Sequence, residues 1–159
     1  MKILMDADCL IKLTKAGLKE YVCRYVEAVI PSAVKREVVD AGKIKGLADA
    51  EIVEQNIEKK VILLAKEEPS LRKSGDQALV DAYRYGSYAA VATDDAKLVR
   101  LLRTANIPYM LPAILILAIY RKGRIGRETA LDWLEALGDF ISEEEYSTAM
   151  LLLEKRNES

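Results

Sequence analysis

The first eleven residues constrain this chain more than any other stretch. Ile3-Leu4-Met5 is a short apolar run that stops on a carboxylate, Asp6, and a second acid, Asp8, follows before Leu10, Ile11 and Leu13 begin a helical pattern. A buried strand that ends in an acid and passes straight into a helix reads as the opening of a βα unit. In open α/β sheets, ligands sit beyond the carboxyl ends of the parallel strands. Asp6 is therefore read as a metal ligand at a sheet edge, on which later acids converge. Asp8 reads as the N-cap of the first helix, because Asp caps well, and Gly17 stops that helix.

The strand-then-helix pattern recurs along the chain. Leu18, Tyr21, Val22, Tyr25 and Val26 have helical spacing, and Val29-Ile30 is a short strand closed by Pro31. Ser32 suits an N-cap for a helix through about Ala41, with Gly42 past its end. Leu47 to Ile57 reads as a helix, Val61 to Ala65 as a buried strand, and Lys66 to Lys73 as a polar loop around Pro69. Ser74-Gly-Asp-Gln77 is a capping box, opening a helix with Leu79, Val80, Ala82 and Tyr83 apolar. Ala89 to Thr93 is a strand that runs into Asp94-Asp95 and a helix with Leu98, Leu101, Leu102 and Ala105 inward, and Tyr109 to Leu111 is the last strand.

Beyond Pro112 the pattern is purely helical, at about 113–121, 127–137 and 143–154, with a second capping box at Ser142-x-x-Glu145. Strands alternating with helices predict an α/β fold: a three-layer α/β/α parallel sheet over residues 1–111, with 112–159 as a helical C-terminal extension of the same domain.

Composition narrows the chemistry. The 159 residues suffice for one domain with a real core, and 51% apolar with 31% charged residues suits a globular protein, with disorder expected only at the tail from Glu154. A net charge of −1 excludes a basic nucleic-acid coat, so any such contact must be local and salt-sensitive. The chain has no histidine, which removes Ser-His-Asp and Cys-His triads and His-ligated zinc. Cys9 and Cys23 lie in apolar helical contexts and read as core thiols in a reducing, cytoplasmic setting. No secretory leader is evident. The apolar stretch Ile107 to Tyr120 is too short to span a bilayer and reads as a buried helix.

Catalysis must then fall to carboxylates. In the helix after Ser32 the apolar stripe runs Ala33, Val34, Val38, Ala41, and Glu37 falls inside it. A carboxylate facing the interior is costly unless paired, protonated or on a metal. Asp6 and Asp94/Asp95 each end an apolar strand, and Asp76 and Asp95 fall in helix first turns. Carboxylates about 5 Å apart repel by roughly 3 kcal/mol per pair at an effective dielectric of about 20. A cluster of four calls for a hard divalent cation, and phosphodiester hydrolysis is the natural chemistry. Lys97, Arg100 and Arg103 form a basic row, and Arg121, Lys122 and Arg124 a second group; each reads as a grip on phosphates or as a solvated face.

Four motifs agree in order and spacing with one family: Leu4-Met-Asp6 followed by Leu10-Ile11, Ile30-Pro-Ser-Ala-Val-x-x-Glu37-Val, Gly75-Asp-x-x-Ala78, and Ala92-Thr-Asp-Asp95. The chain resembles PIN-domain nucleases, which include the toxin ribonucleases of prokaryotic toxin–antitoxin pairs. Ile141-Ser-Glu-Glu-Glu-Tyr146, with the helix hairpin before it, is similar to a prokaryotic subgroup. The resemblance implies a metal-dependent endoribonuclease with Asp6, Glu37, Asp76 and Asp95 as the catalytic acids. It implies Mg²⁺ or Mn²⁺ held by Asp6, Asp76 and Asp95, with Asp94 as the alternative to Asp95, and support from Thr93 and Asp8. RNA as substrate, an antitoxin partner and a homodimer follow from the same resemblance. Two departures bear on metal geometry: Asp8 stands where Ser, Thr or Asn is usual, and Asp76 where the subgroup often has Glu.

Two other readings compete. Asp6-x-Asp8, with Gly75-Asp76 and Asp81, also resembles the haloacid-dehalogenase phosphatases, in which Asp6 would be the nucleophile. That motif should follow an apolar strand, however, and Ser70 to Ser74 is polar. The other reading is a PIN-fold binding module without activity, which the Asp8 departure favours.

Overall fold

The computed structural model describes residues 1–40, 48–66 and 74–155. Five parallel strands form one sheet: β1 (Lys2–Met5), β2 (Glu27–Ile30), β3 (Ile62–Leu64), β4 (Ala90–Ala92) and β5 (Tyr109–Met110), in the order β3-β2-β1-β4-β5. The chain builds outward from β1 through β2 to β3, then returns to the other side of β1 for β4 and β5. The direction of winding therefore reverses between β1 and β4, the position where open α/β sheets place their ligands. Met5 pairs with Ala92, so Asp6 and Thr93 emerge level at that crevice.

The central strands are near-continuous apolar runs because helices cover both sheet faces. Ile3, Leu4, Met5, Ile30, Val91 and Ala92 are fully buried. The helices are α1 (Ala7–Lys15), α2 (Lys19–Val22), α3 (Ser32–Lys35), α4 (Ala48–Glu58), α5 (Gly75–Tyr85), α6 (Ala96–Thr104), α7 (Pro112–Arg121), α8 (Arg127–Leu137) and α9 (Glu143–Lys155). A π-helical segment, Arg36–Asp40, continues α3, and a 3-10 turn, Gly138–Phe140, follows α8. Leu115 and Ile116 of α7, Leu134 of α8 and Leu153 of α9 belong to the same contiguous core as the strands. Each such side chain contributes about 1.5–3 kcal/mol by burial, so the C-terminal helices are packed into the core.

Several local expectations are corrected. The N-cap of α1 is Asp6, not Asp8, and Pro31 rather than Ser32 holds the N-cap position of α3. The helix read from Leu18 to Val26 shrinks to Lys19–Val22; Tyr21 and Tyr25 are exposed and lie 6.3 and 6.2 Å, ring to ring, from Trp133. β3 is an edge strand, with Ile62 buried but Leu63 and Leu64 exposed. The ends placed at Ala41, Gly42 and Leu47, the loop from residue 67 to 73, and the tail at 156–159 lie outside the described residues. Cys9 and Cys23 are free thiols, and Cys9 is fully buried. Among the described residues, no helix is long and apolar enough to cross a membrane.

Candidate active site

The two strand ends at the crevice use one device. Asp6 follows β1 and N-caps α1, its Oδ1 accepting the Cys9 N–H at 2.7 Å. Asp95 closes the segment after β4 and N-caps α6, its Oδ1 accepting the Leu98 N–H at 2.8 Å. Each acid satisfies a backbone donor that its helix leaves open. Thr93, fully buried, ties the two together: its hydroxyl donates to Asp6 Oδ2 and accepts the Asp95 N–H at 3.0 Å.

Glu37 reaches the same place by another route. The π-helical turn inserts extra chain and rotates the register, so that the neighbours Val38 and Val39 are both buried while Glu37 is exposed. Placing Glu37 inside the apolar stripe assumes regular α-helical spacing, and the wider turn moves the acid to the rim. Such turns recur at functional sites.

Opposite Glu37, α5 starts with the Ser74 hydroxyl accepting the Gln77 N–H at 3.3 Å. The Gln77 side chain donates to Asp81 at 2.9 Å. A Cβ on Gly75 would lie 3.1 Å from Glu37 Oε2. The missing side chain lets the Glu37 carboxylate lie against the start of α5. Gly75→Ala is expected to shift that flexible side chain by a few tenths of an ångström with little effect on melting temperature. Because misplacement by about 1 Å costs roughly 10²-fold, a loss of about threefold to tenfold in turnover should accompany it, measured beside the thermal melt.

These elements enclose a small open cavity of about 70 Å³, lined by Asp6, Asp8, Glu37, Asp76 and Asp95, with Ala7, Val34, Gly75 and Leu79 as its non-acidic wall. No Lys or Arg is among the described residues that line it. Burial pushes the Asp6 carboxyl up to about 7; the Thr93 and Cys9 hydrogen bonds oppose that rise, and Asp8 and Asp94 add to it. Glu37 is raised by partial burial of its carboxylate, then by Asp8, Asp76 and Asp95. Asp76 is raised by partial burial and by Asp95, with Lys97 pulling it down.

Asp94 is not in the cavity wall. It pairs with Lys12 at 2.5 Å, and its other oxygen, Oδ1, is buried without a hydrogen-bond partner. Glu145, which the sequence pattern places only in a capping box, is 5% exposed. Its N–H does bond the Ser142 hydroxyl, at 3.0 Å, but its Oε2 accepts the Ala113 N–H at 3.0 Å. Burial raises its pKa, as does the neighbouring Asp94. A signal for it is present in the sequence, since Glu145, Ala149 and Leu153 form a buried i, i+4, i+8 row on α9.

The basic residues Lys97, Arg100, Arg103, Arg121, Lys122 and Arg124 are all exposed. Lys97 acts on Asp76 at the cavity. Arg103 is engaged by the Tyr109 hydroxyl, at 2.8 Å from Nη2 and 3.1 Å from Nε.

The donor set suits a hard cation: five carboxylates, no nitrogen or sulfur, and a polar space large enough for a few waters. Among the described residues, no three Asp, Glu or Cys side chains converge tightly enough to hold an ion by themselves. The acids ring the cavity, an arrangement that matches an ion such as Mg²⁺, which keeps several waters and takes one or two carboxylates directly.

A family model described as a PIN domain matches residues 2–155. No curated protein matches the sequence.

Proposed function

Because the chain belongs to the PIN-domain family, whose members are generally nucleases and typically use divalent metal ions, we propose that it is a Mg²⁺- or Mn²⁺-dependent endoribonuclease. The observation that carries this reading is the cavity at the β1/β4 crevice, with five carboxylates and no cation among its described lining residues.

Asp6, Asp76 and Asp95 would hold the ion, one or two of them directly and the rest through its waters. When bound, it supplies a Lewis acid for a phosphoryl oxygen and lowers the pKa of a bound water. Asp6 is held in place at both oxygens, by the Cys9 N–H and the Thr93 hydroxyl. Glu37 and Asp8, at the exposed rim, accept hydrogen bonds from water at the reacting phosphate. Lys97, near Asp76, is the best placed of its row to meet a phosphate. Arg103 lies under two helical turns further along α6, about 9 Å away at 1.5 Å per residue.

The test is cleavage of labelled RNA by chain stripped of metal with EDTA. Cutting should return with Mn²⁺ or Mg²⁺ and cease with excess chelator, and Mn²⁺ should raise the melting temperature. An aspartyl-phosphate trapped at Asp6 would point to the phosphatase reading. RNA left intact with either metal, and little Mn²⁺ shift, would point to a binding module. A toxin role held in check by an antitoxin, in a homodimer, belongs to the same proposal. It is tested by growth arrest on expression and by the mass of the chain in solution.

A further inference from the structure

We propose that the groove along the outer edge of β3 is a docking site for a segment of a partner protein, an extended peptide that carries apolar and acidic side chains and adds to the sheet as a further strand. The groove shares no described lining residue with the acidic cavity, so its occupant does not depend on the nuclease activity.

The edge comes from the strand order. β3 is last in the sheet, and among the described residues it pairs only with β2. The Ala65 N–H turns inward to the Ile30 carbonyl at 2.9 Å. Successive residues of a strand present their N–H and C=O to opposite sides, so those of Leu64 face away from β2. Leu63 and Leu64 are 36% and 43% exposed, and Tyr85, at the end of α5, is 70% exposed. All three line one groove of about 440 Å³, which has the buried Val29 and Ala82 at its base. Apolar side chains left to solvent in one place mark an interaction surface, and the volume is that of a binding cleft. Tyr88 also lines the groove. The Lys2 ammonium lies 5.1 Å from the centre of its ring. A Cβ on Gly86 would lie 2.5 Å from Tyr88 Cε2, so glycine leaves the room that this ring occupies.

Charge and backbone together choose the occupant. Lys2 and Lys66 are exposed at the groove, and no carboxylate is among its described lining residues. An anionic partner is therefore favoured. A second copy docked by the same edge would set lysines against lysines. An RNA strand would satisfy the lysines, but it has no alternating N–H and C=O groups to match those of Leu64. A peptide strand has both, and its alternate side chains reach the apolar groove.

The test is made in EDTA, without RNA. A random peptide library is selected on the full chain and counter-selected on Leu64→Asp. The survivors should be rich in apolar residues and in Asp or Glu, and should shift the amides of Leu63, Leu64 and Ala65 in the isotope-labelled chain. Leu64→Asp should weaken their binding by about tenfold or more, the scale of a central apolar contact. Lys66→Glu should weaken it by about threefold to tenfold, and by less in high salt, which screens the attraction. Methylating the peptide's backbone nitrogens removes ladder donors and should weaken binding by about fivefold or more.

If Leu64→Asp folds poorly, Lys66→Glu, at an exposed position, serves for the counter-selection. The proposal is overturned if no peptide survives, if the survivors are basic, or if they leave the three β3 amides unmoved. It is also overturned if the parent sediments as a dimer that Leu64→Asp splits, which assigns the groove to a second copy. Shifts of the same amides by single-stranded RNA alone, with no peptide able to compete, would overturn it in favour of nucleic acid.

Discussion

Asp6→Asn is expected to lower metal-dependent RNA cleavage on the order of 10³-fold while the chain stays folded. Asn caps a helix about as well as Asp, so the Cys9 N–H keeps its acceptor. The space around residue 6 is unchanged, because the two side chains are nearly the same shape. What is lost is the charge closest to the sheet. Lewis-acid stabilisation by a bound ion is worth several kcal/mol, and each 1.36 kcal/mol is about tenfold in rate. Asp8→Asn is the contrast: Asp8 is exposed and caps nothing, so its loss should cost closer to about tenfold on the same scale. Cleavage rates in Mn²⁺, measured beside near-ultraviolet circular dichroism, check both. Cutting by Asp6→Asn within tenfold of the parent would remove Asp6 from the metal site.

Part of this site is legible in the residues alone. Asp6 and Asp95 stand out because an apolar run that stops at an acid before a helix sets that acid at the rim of a sheet, and the parallel pairing brings the ends of β1 and β4 level. What the sequence hides is local geometry. Glu37 stands out for the wrong reason, since only the π-helical turn takes it from the core towards the cavity, and spacing rules that assume 3.6 residues per turn cannot see one. The same rule, an acid on an apolar row, applies correctly to Glu145, where the helix is regular and the acid is buried. There the capping-box pattern accounts for the acid without any interior partner and so conceals it. Lys12 is hidden too, because its partner Asp94 is 82 positions away. The exposed Leu63 and Leu64 of β3 show a related limit: a continuous apolar run cannot distinguish a central strand from an edge.

Without metal, the chain should be more stable in mild acid than above neutrality, and Mn²⁺ should reverse that order. Asp6 titrates at about 7 in the fold, above its ordinary value of 3.8. Below about pH 4 it is protonated in both folded and unfolded chains, and the full stability is present. Between about pH 4 and 7 the folded chain holds a proton that the unfolded chain has released, so stability falls as pH rises through that window and levels off above it. Each tenfold in proton affinity is about 1.4 kcal/mol, which puts the loss on the order of several kcal/mol. Glu145 moves in the same direction. A bound divalent ion favours the ionised carboxylates, so its binding must release protons and tighten as pH rises towards neutrality. Melting temperatures from pH 5 to 8, in EDTA and in Mn²⁺, should therefore diverge as pH rises. The Asp6→Asn chain isolates the cause, because it has no carboxyl at residue 6 to titrate: in EDTA its melting temperature should fall less than the parent's over the same range, leaving it the more stable of the two at pH 8. Parallel pH curves for the two chains would mean that Asp6 carries its charge in the fold as easily as in water, and the cavity would then have no unbalanced negative charge for a cation to relieve.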